Sequence, residues 1–238
     1  MGSHERAMVE QPSPPQLEAA FLALRAVLPT GQPRPPKQFY ALEDLERAFR
    51  ALKQPLAIAK EGGGLINPWA LASLGQNEVR NAAALAGLWM AEFGGATSLR
   101  FAAGYLSTAF PDGDWSTELG KGYRVATEVC PLGEAADRVD LVIETSRYLI
   151  GIEVKIRAGL GRDQLERYSS AISRRAELQK LDPRVILLAP FGTKLPKVSS
   201  TTWADVSRAA RSAAGEKVAE RTFVQHLIAS FGEHARVL

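Results

Sequence analysis

Residues 137–172, DRVDLVIETSRYLIGIEVKIRAGLGRDQLERYSSAI, hold two apolar strand-like runs, a hairpin between them and a helix opening on Gln164. In the second run, 149–156, Ile150, Ile152, Val154 and Ile156 share one face, and Leu149, Gly151, Glu153 and Lys155 share the other. In the first run, 138–144, Val139, Leu141 and Ile143 form the apolar face, opposite Arg138, Asp140, Val142 and Glu144. A loop of residues 145–148 pairs Glu144 with Leu149, and counting back sets Ile143 opposite Ile150, Leu141 opposite Ile152 and Val139 opposite Val154. A slip of one residue would mix apolar and charged positions across the pair, so burial itself specifies the register.

The same count sets Asp140 directly across from Glu153. Opposed side chains have Cβ atoms about 5 Å apart, and like charges at that distance are destabilising. Such a pair wants a cation between its members, or a proton on one of them. Lys155 stands on the same face, about 7 Å along the strand from Glu153. Two explanations follow. The Lys155 ammonium relieves the repulsion, or both carboxylates hold a divalent metal while Lys155 sits beside an attacking water. The pattern alone leaves both open.

The surroundings describe an α/β protein. From Gln76 to Phe93 the residues Val79, Ala82, Ala83, Ala86, Trp89, Met90 and Phe93 recur at helical spacing. Strand-like runs at 123–129, 138–144 and 149–156 follow, then a helix of about 162–180 and a buried strand at 184–189. The segment STTWADVSRAARSAA reads as a short strand entering a helix, and 217–234 as a last amphipathic helix. Helix, three strands, helix, strand predicts a central mixed sheet flanked by helices. Upstream, the Pro-rich stretches 11–15 and 29–36 bracket a helical segment near 16–28. A second amphipathic helix over about 42–53 precedes the break at Gly62–Gly64. Residues 1–64 are therefore expected to form a tail and helical appendage, and 65–238 the main domain. The opening MGSHERAM reads as partly a cloning remnant, with Met8 a native start, and is left out of fold reasoning.

Bulk properties narrow the chemistry. The 238 residues are 46% hydrophobic and 23% charged, as in ordinary globular proteins, and no apolar run approaches the length of a membrane span. One cysteine, Cys130, excludes an intrachain disulfide and a multi-thiolate zinc site, and its default is a buried structural thiol. A reducing cytoplasm is the expected location. With three histidines, a bound metal would be held mainly by carboxylates, which favours magnesium or manganese. Residues 156–238 hold 14 Lys and Arg against 8 Asp and Glu, a net +6 that leaves −3 for residues 1–155. A basic half beside an acidic cluster suits a phosphodiester, and solvated helix faces explain it equally. The chain has no GxSxG elbow and no phosphate loop of the GxxxxGK[ST] kind. Trp69, Trp89, Trp115 and Trp203 are expected to pack in the core or at its edge.

Asp140, then twelve residues, then Glu153-Val154-Lys155 on an apolar strand resembles the PD-(D/E)XK nuclease superfamily. The continuation IEVKIRAGLGRDQLERY is similar to those members whose E-x-K strand is followed by a helix opening Q-L-x-R-Y. The resemblance covers roughly residues 76–206; Val139, not the proline of the motif's name, precedes Asp140, and many members lack that proline too.

The resemblance implies a restriction-endonuclease-like α-β-β-β-α-β core and specific roles. Asp140 and Glu153 would bind Mg2+ or Mn2+ together with the Val154 carbonyl, and Glu78, on the helix before the sheet, would add a carboxylate. Lys155 would orient or deprotonate the water. Gln164 would point at the site and Tyr168 would support it, unless Gln164 is a cap-region polar residue and Tyr168 a core tyrosine. Arg138, Arg162 and Arg167 are candidate substrate contacts; Arg138 could instead bridge to Glu153, and the other two could be solvated. Glu128 is an alternative extra carboxylate. The function implied is metal-dependent hydrolysis of nucleic acid, most simply double-stranded DNA, in restriction, repair or defence. Two alternatives stand beside it: an inactive nucleic-acid-binding or protein-interaction module of this fold, and a nuclease effector or toxin. The N-terminal appendage is the expected place for a homodimer contact or a protein partner.

Overall fold

The computed structural model describes residues 41–61, 66–130, 138–157, 159 and 163–238. The chain divides into two units, residues 1–64 and 65–238. The described part of the first unit is helix α1, Leu42–Glu61, which runs through Pro55 and so extends beyond the expected end near 53. The segment near 16–28 lies outside the described residues.

The second unit opens with the short helix α2 (Pro68–Leu71), then α3 (Glu78–Trp89), α4 (Ala91–Ala109) and α5 (Trp115–Gly120). Strands β1 (Tyr123–Val129), β2 (Val139–Thr145) and β3 (Tyr148–Val154) follow. Helix α6 (Gln164–Gln179) leads to β4 (Asp182–Leu188) and β5 (Val198–Thr201), and α7 (Trp203–Ala214) and α8 (Phe223–Ala235) close the chain. The five strands lie in sequence order, β1 to β3 antiparallel and β3 to β5 parallel. This is a mixed sheet flanked by helices, as the restriction-endonuclease-like pattern implies.

The hairpin register follows the sequence reading, with Glu144 against Leu149, Ile143 against Ile150 and Leu141 against Ile152. One apolar position departs from it. Val139 packs with Val142, Leu149 and Tyr168 rather than with Leu141 and Ile143. The β1–β2 ladder passes from Thr127–Leu141 to Val129–Val139 without pairing Glu128 to Asp140, and Glu128 has φ +51°. That left-handed residue interrupts the ladder between two regular pairs, a bulge-like device that re-aims side chains.

Two apolar layers sandwich the sheet. Leu141, Ile143, Ile150 and Ile152 join residues of α3, α4, α7 and α8 on one side. On the other, Val142, Leu149, Val185 and Leu187 join Leu165, Tyr168 and Ile172 of α6. Gly151 lets α6 come close, since a Cβ there would lie 2.7 Å from Ile172 Cγ1.

Other expectations shift at element ends. The helix predicted to reach Phe93 stops at Trp89, and Met90 caps a new helix, leaving Phe93 and Val79 exposed. Small residues throughout α4 hide its helical period. The last helix starts at Phe223, not 217, because Thr222 and Gln225 form a capping box there. Cys130 is half-buried rather than buried. Trp89, Trp115 and Trp203 are core residues, as expected.

Candidate active site

Past the paired part of the hairpin, the two helical layers reach the same end of β3. Asp140 does not continue the ladder with its backbone. Its Oδ2 accepts the Val154 N–H at 2.9 Å, which holds the carboxylate beside the end of β3. Glu153 follows from strand alternation and is 1% exposed. Its Oε1 takes the Lys155 ammonium at 2.7 Å and a hydrogen bond from Gln164 Nε2 at 2.9 Å. Its Oε2 is buried, and no N–H or hydroxyl among the described residues donates to it.

Glu78 comes from the opposite layer. Asn77 caps α3 by accepting from the Arg80 N–H at 2.9 Å, which places Glu78 at the first helical position. Glu78 Oε1 accepts the Ile156 N–H at 2.8 Å, and Oε2 lies 3.7 Å from Lys155 Nζ. The Lys155 backbone is fixed as well: its N–H donates to Leu188 O at 2.8 Å, and its carbonyl accepts from Trp203 Nε1 at 3.0 Å. Gln164, at the start of α6, also donates to Tyr168 Oη at 2.9 Å one turn on.

Burial and crowded charge shape the titration. Burial raises Asp140, with the Glu78 charge adding and the Val154 N–H and Lys155 opposing. Burial, then the Asp140 charge, pushes Glu153 up to about 7 against the pull of Lys155. Burial works to lower Lys155, but its hydrogen bond to Glu153 and the charges of Glu153, Glu78 and Asp140 outweigh it and raise the pKa. Tyr168 is raised, chiefly by burial. Two acids within reach of each other and of one ammonium can hold a proton or a cation between them.

Asp140, Glu153, Val154, Lys155, Glu78, Gln164 and Tyr168 thus converge. Arg138 does not bridge to Glu153; it lies 3.4 Å from Glu128, and both side chains are about half exposed. Glu128 therefore faces Arg138. Arg167 is exposed on α6, and Arg162 lies outside the described residues. The hydrogen bond from Trp203 is an addition: the sequence placed this residue at a strand-to-helix step, and only the fold brings its indole to Lys155.

Hard oxygen donors, one of them a buried carboxylate oxygen beside a second carboxylate, fit a hard divalent cation. Among the described residues, however, no group of three or more His, Cys, Asp and Glu is arranged to hold an ion. The reason is visible. Asp140 and Glu78 are turned onto backbone N–H groups, and Lys155 reaches both Glu153 and Glu78. Nor is any described helix long and apolar enough to cross a membrane.

No curated protein and no solved structure matches the chain. A family model described as PD-(D/E)XK nuclease superfamily matches residues 78–230, from Glu78 at the head of α3 into α8. With that match spanning the sheet and the whole acidic cluster, the chain belongs to the PD-(D/E)XK nuclease superfamily.

Proposed function

We propose that this protein hydrolyses phosphodiester bonds of nucleic acid, double-stranded DNA first among them, at the Asp140–Glu153–Lys155 cluster with Mg2+ or Mn2+. Family membership supports a nucleic-acid substrate, and members usually use divalent metals. The observation that carries the reading is Glu153, buried beside a second carboxylate, Asp140, whose charge helps burial push the Glu153 pKa up to about 7.

Asp140, Glu153 and the Val154 carbonyl would hold the ion, with Glu78 completing the oxygen set. When bound, the metal supplies Lewis acidity toward the phosphoryl oxygen and lowers the pKa of water. The other steps belong to the chain. Lys155, charged through neutral pH, positions the attacking water and offsets charge growing on the phosphorus oxygens. Gln164 fixes the Glu153 rotamer by its hydrogen bond to Oε1. Arg138 and Arg167, both exposed, would be the contacts to substrate phosphates. Hydrolysis proceeds by in-line attack of water, without a covalent enzyme intermediate. Restriction, repair or defence in a reducing cytoplasm is the setting such an activity suits. A second copy or a protein partner would bind at the N-terminal unit.

A second reading has its own observation. Lys155 reaches both Glu153 and Glu78, so part of the cluster's negative charge is already offset by an ammonium, as in a binding module that cleaves nothing. Incubating the protein with plasmid and linear DNA in magnesium or manganese separates the two. Cleavage that disappears in Asp140→Ala and Lys155→Ala supports the nuclease. An inert wild type, or variants that cut as well as wild type, overturns it.

A further inference from the structure

Helix α1 has no buried residue. Leu42, Leu45, Phe49, Leu52 and Leu56 follow one another at intervals of 3, 4, 3 and 4 residues and are each at least 40% exposed. That spacing makes a single apolar seam of the kind that packs against another helix. The polar residues beside the seam say which helix fits.

We infer that the seam pairs with α1 of a second copy of this chain, antiparallel. In that arrangement Phe49 layers on Leu52 of the second copy, Leu45 on its Leu56 and Leu42 on its Ala59. Glu46 then falls beside Lys53 of the second copy, and the two-fold symmetry repeats the pair. Pro55 flanks the seam opposite Ala48, a side chain small enough to leave room for its ring. A parallel pair sets Lys53 against Ala48 and Glu46 against Ala41, with no countercharge on either. Charge complementarity therefore selects the antiparallel second copy. Within its own helix Glu46 meets only Arg50, at 3.4 Å with both side chains exposed, a contact weak enough to yield.

Twenty residues span about 30 Å, a little under three heptads, so the pairing is reversible and depends on concentration. It needs nothing from the acidic cluster and stands whether or not that cluster cleaves DNA.

Sedimentation velocity of the full chain, from low-micromolar to high-micromolar concentration, tests it. Wild type shifts from monomer to dimer across that range, and Phe49→Glu stays monomeric. Glu46→Lys, which sets Lys against Lys53 twice, weakens dimerisation roughly tenfold, the worth of two surface pairs. Adding Lys53→Glu to Glu46→Lys restores it. A wild type that remains monomeric throughout overturns the inference and leaves the seam to another segment, such as residues 16–28, or to a different protein. A dimer indifferent to Phe49→Glu, or a double variant no better than Glu46→Lys, also overturns it.

Discussion

The indole N–H of Trp203 donates to the backbone carbonyl of Lys155 at 3.0 Å, tying the first residue of α7 to the residue that leaves β3. Lys155 has left the strand, and a side chain there could swing widely. The Trp203 bond and the Leu188 carbonyl instead fix its backbone from two sides, so its ammonium is delivered between Glu153 and Glu78.

Trp203→Phe keeps an aromatic ring in a position that is 3% exposed, and removes the donor together with part of the ring volume. The Lys155 carbonyl then loses its partner, at a stability loss of about 1–3 kcal/mol. If Lys155 positions the water, turnover falls about tenfold or more with KM little changed, as for an interaction made in the transition state. Steady-state cleavage together with thermal melting measures both. A variant that melts lower but turns over normally would show that the bond serves only packing.

Stability without metal should fall as pH rises through the acid range. Glu153 has its pKa raised from 4.5 to about 7 in the folded chain. Between those values the folded form keeps a proton that the unfolded form has released, so raising the pH favours unfolding. The loss begins near 4.5, is complete above about 7, and is on the order of 3 kcal/mol. Urea titrations of wild type and Glu153→Gln across this interval isolate the effect, because other carboxylates titrate in both. Equal pH slopes in the two proteins would remove the raised pKa. Adding magnesium should blunt the wild-type loss, since an ion bound by the deprotonated carboxylates gains affinity with pH.

The hairpin was legible because its two strands alternate so strictly that a single register buries the apolar positions. That register, read from the sequence, sets Asp140 and Glu153 near each other. Val139 escaped the same logic, because alternation assumes a regular strand and Glu128, opposite this end of β2, takes a left-handed backbone conformation. The contribution of Trp203 was illegible for a different reason. Forty-eight residues separate it from Lys155, and no local pattern records which loop a buried indole will reach. The split between α3 and α4 was hidden too, since apolar spacing continues through Met90 while the backbone does not.

Gln164 and Tyr168 should separate by effect. Gln164 bonds both the Glu153 carboxylate and the Tyr168 hydroxyl, whereas Tyr168 meets Glu153 only through Gln164. Outer-shell partners of a metal ligand typically contribute 10–100-fold to affinity or activity, so Gln164→Ala is expected to lose about that much. Tyr168→Phe leaves the ring in the α6 layer and loses one bond of Gln164, for a reduction below about tenfold. Magnesium titration of the cleavage rate distinguishes positioning from bulk folding, because Gln164→Ala should raise the metal concentration needed for half-maximal rate. Equal effects of the two substitutions would mean that the pair acts as one packing unit.

Gly151 tests whether α6 is held at the distance that places Gln164. A methyl group there would lie 2.7 Å from Ile172 Cγ1 and 2.8 Å from its Cδ1, closer than real side chains sit, so the Ile172 side chain, the helix or the strand must shift. Both residues are at the centre of a packed layer where Ile172 is fully buried, and overpacking of this kind costs about 1–3 kcal/mol. Gly151→Ala should therefore lower the melting temperature and, by pushing α6 outward, weaken the Gln164–Glu153 contact and slow cleavage. Ile172→Ala removes the atoms that the new methyl would strike, while by itself it leaves a cavity. The double variant should then be more stable than the sum of the two single losses implies, and a double-mutant cycle reads that coupling directly. Strict additivity would mean that Gly151 is there for the strand backbone alone, and that α6 owes its position to other contacts.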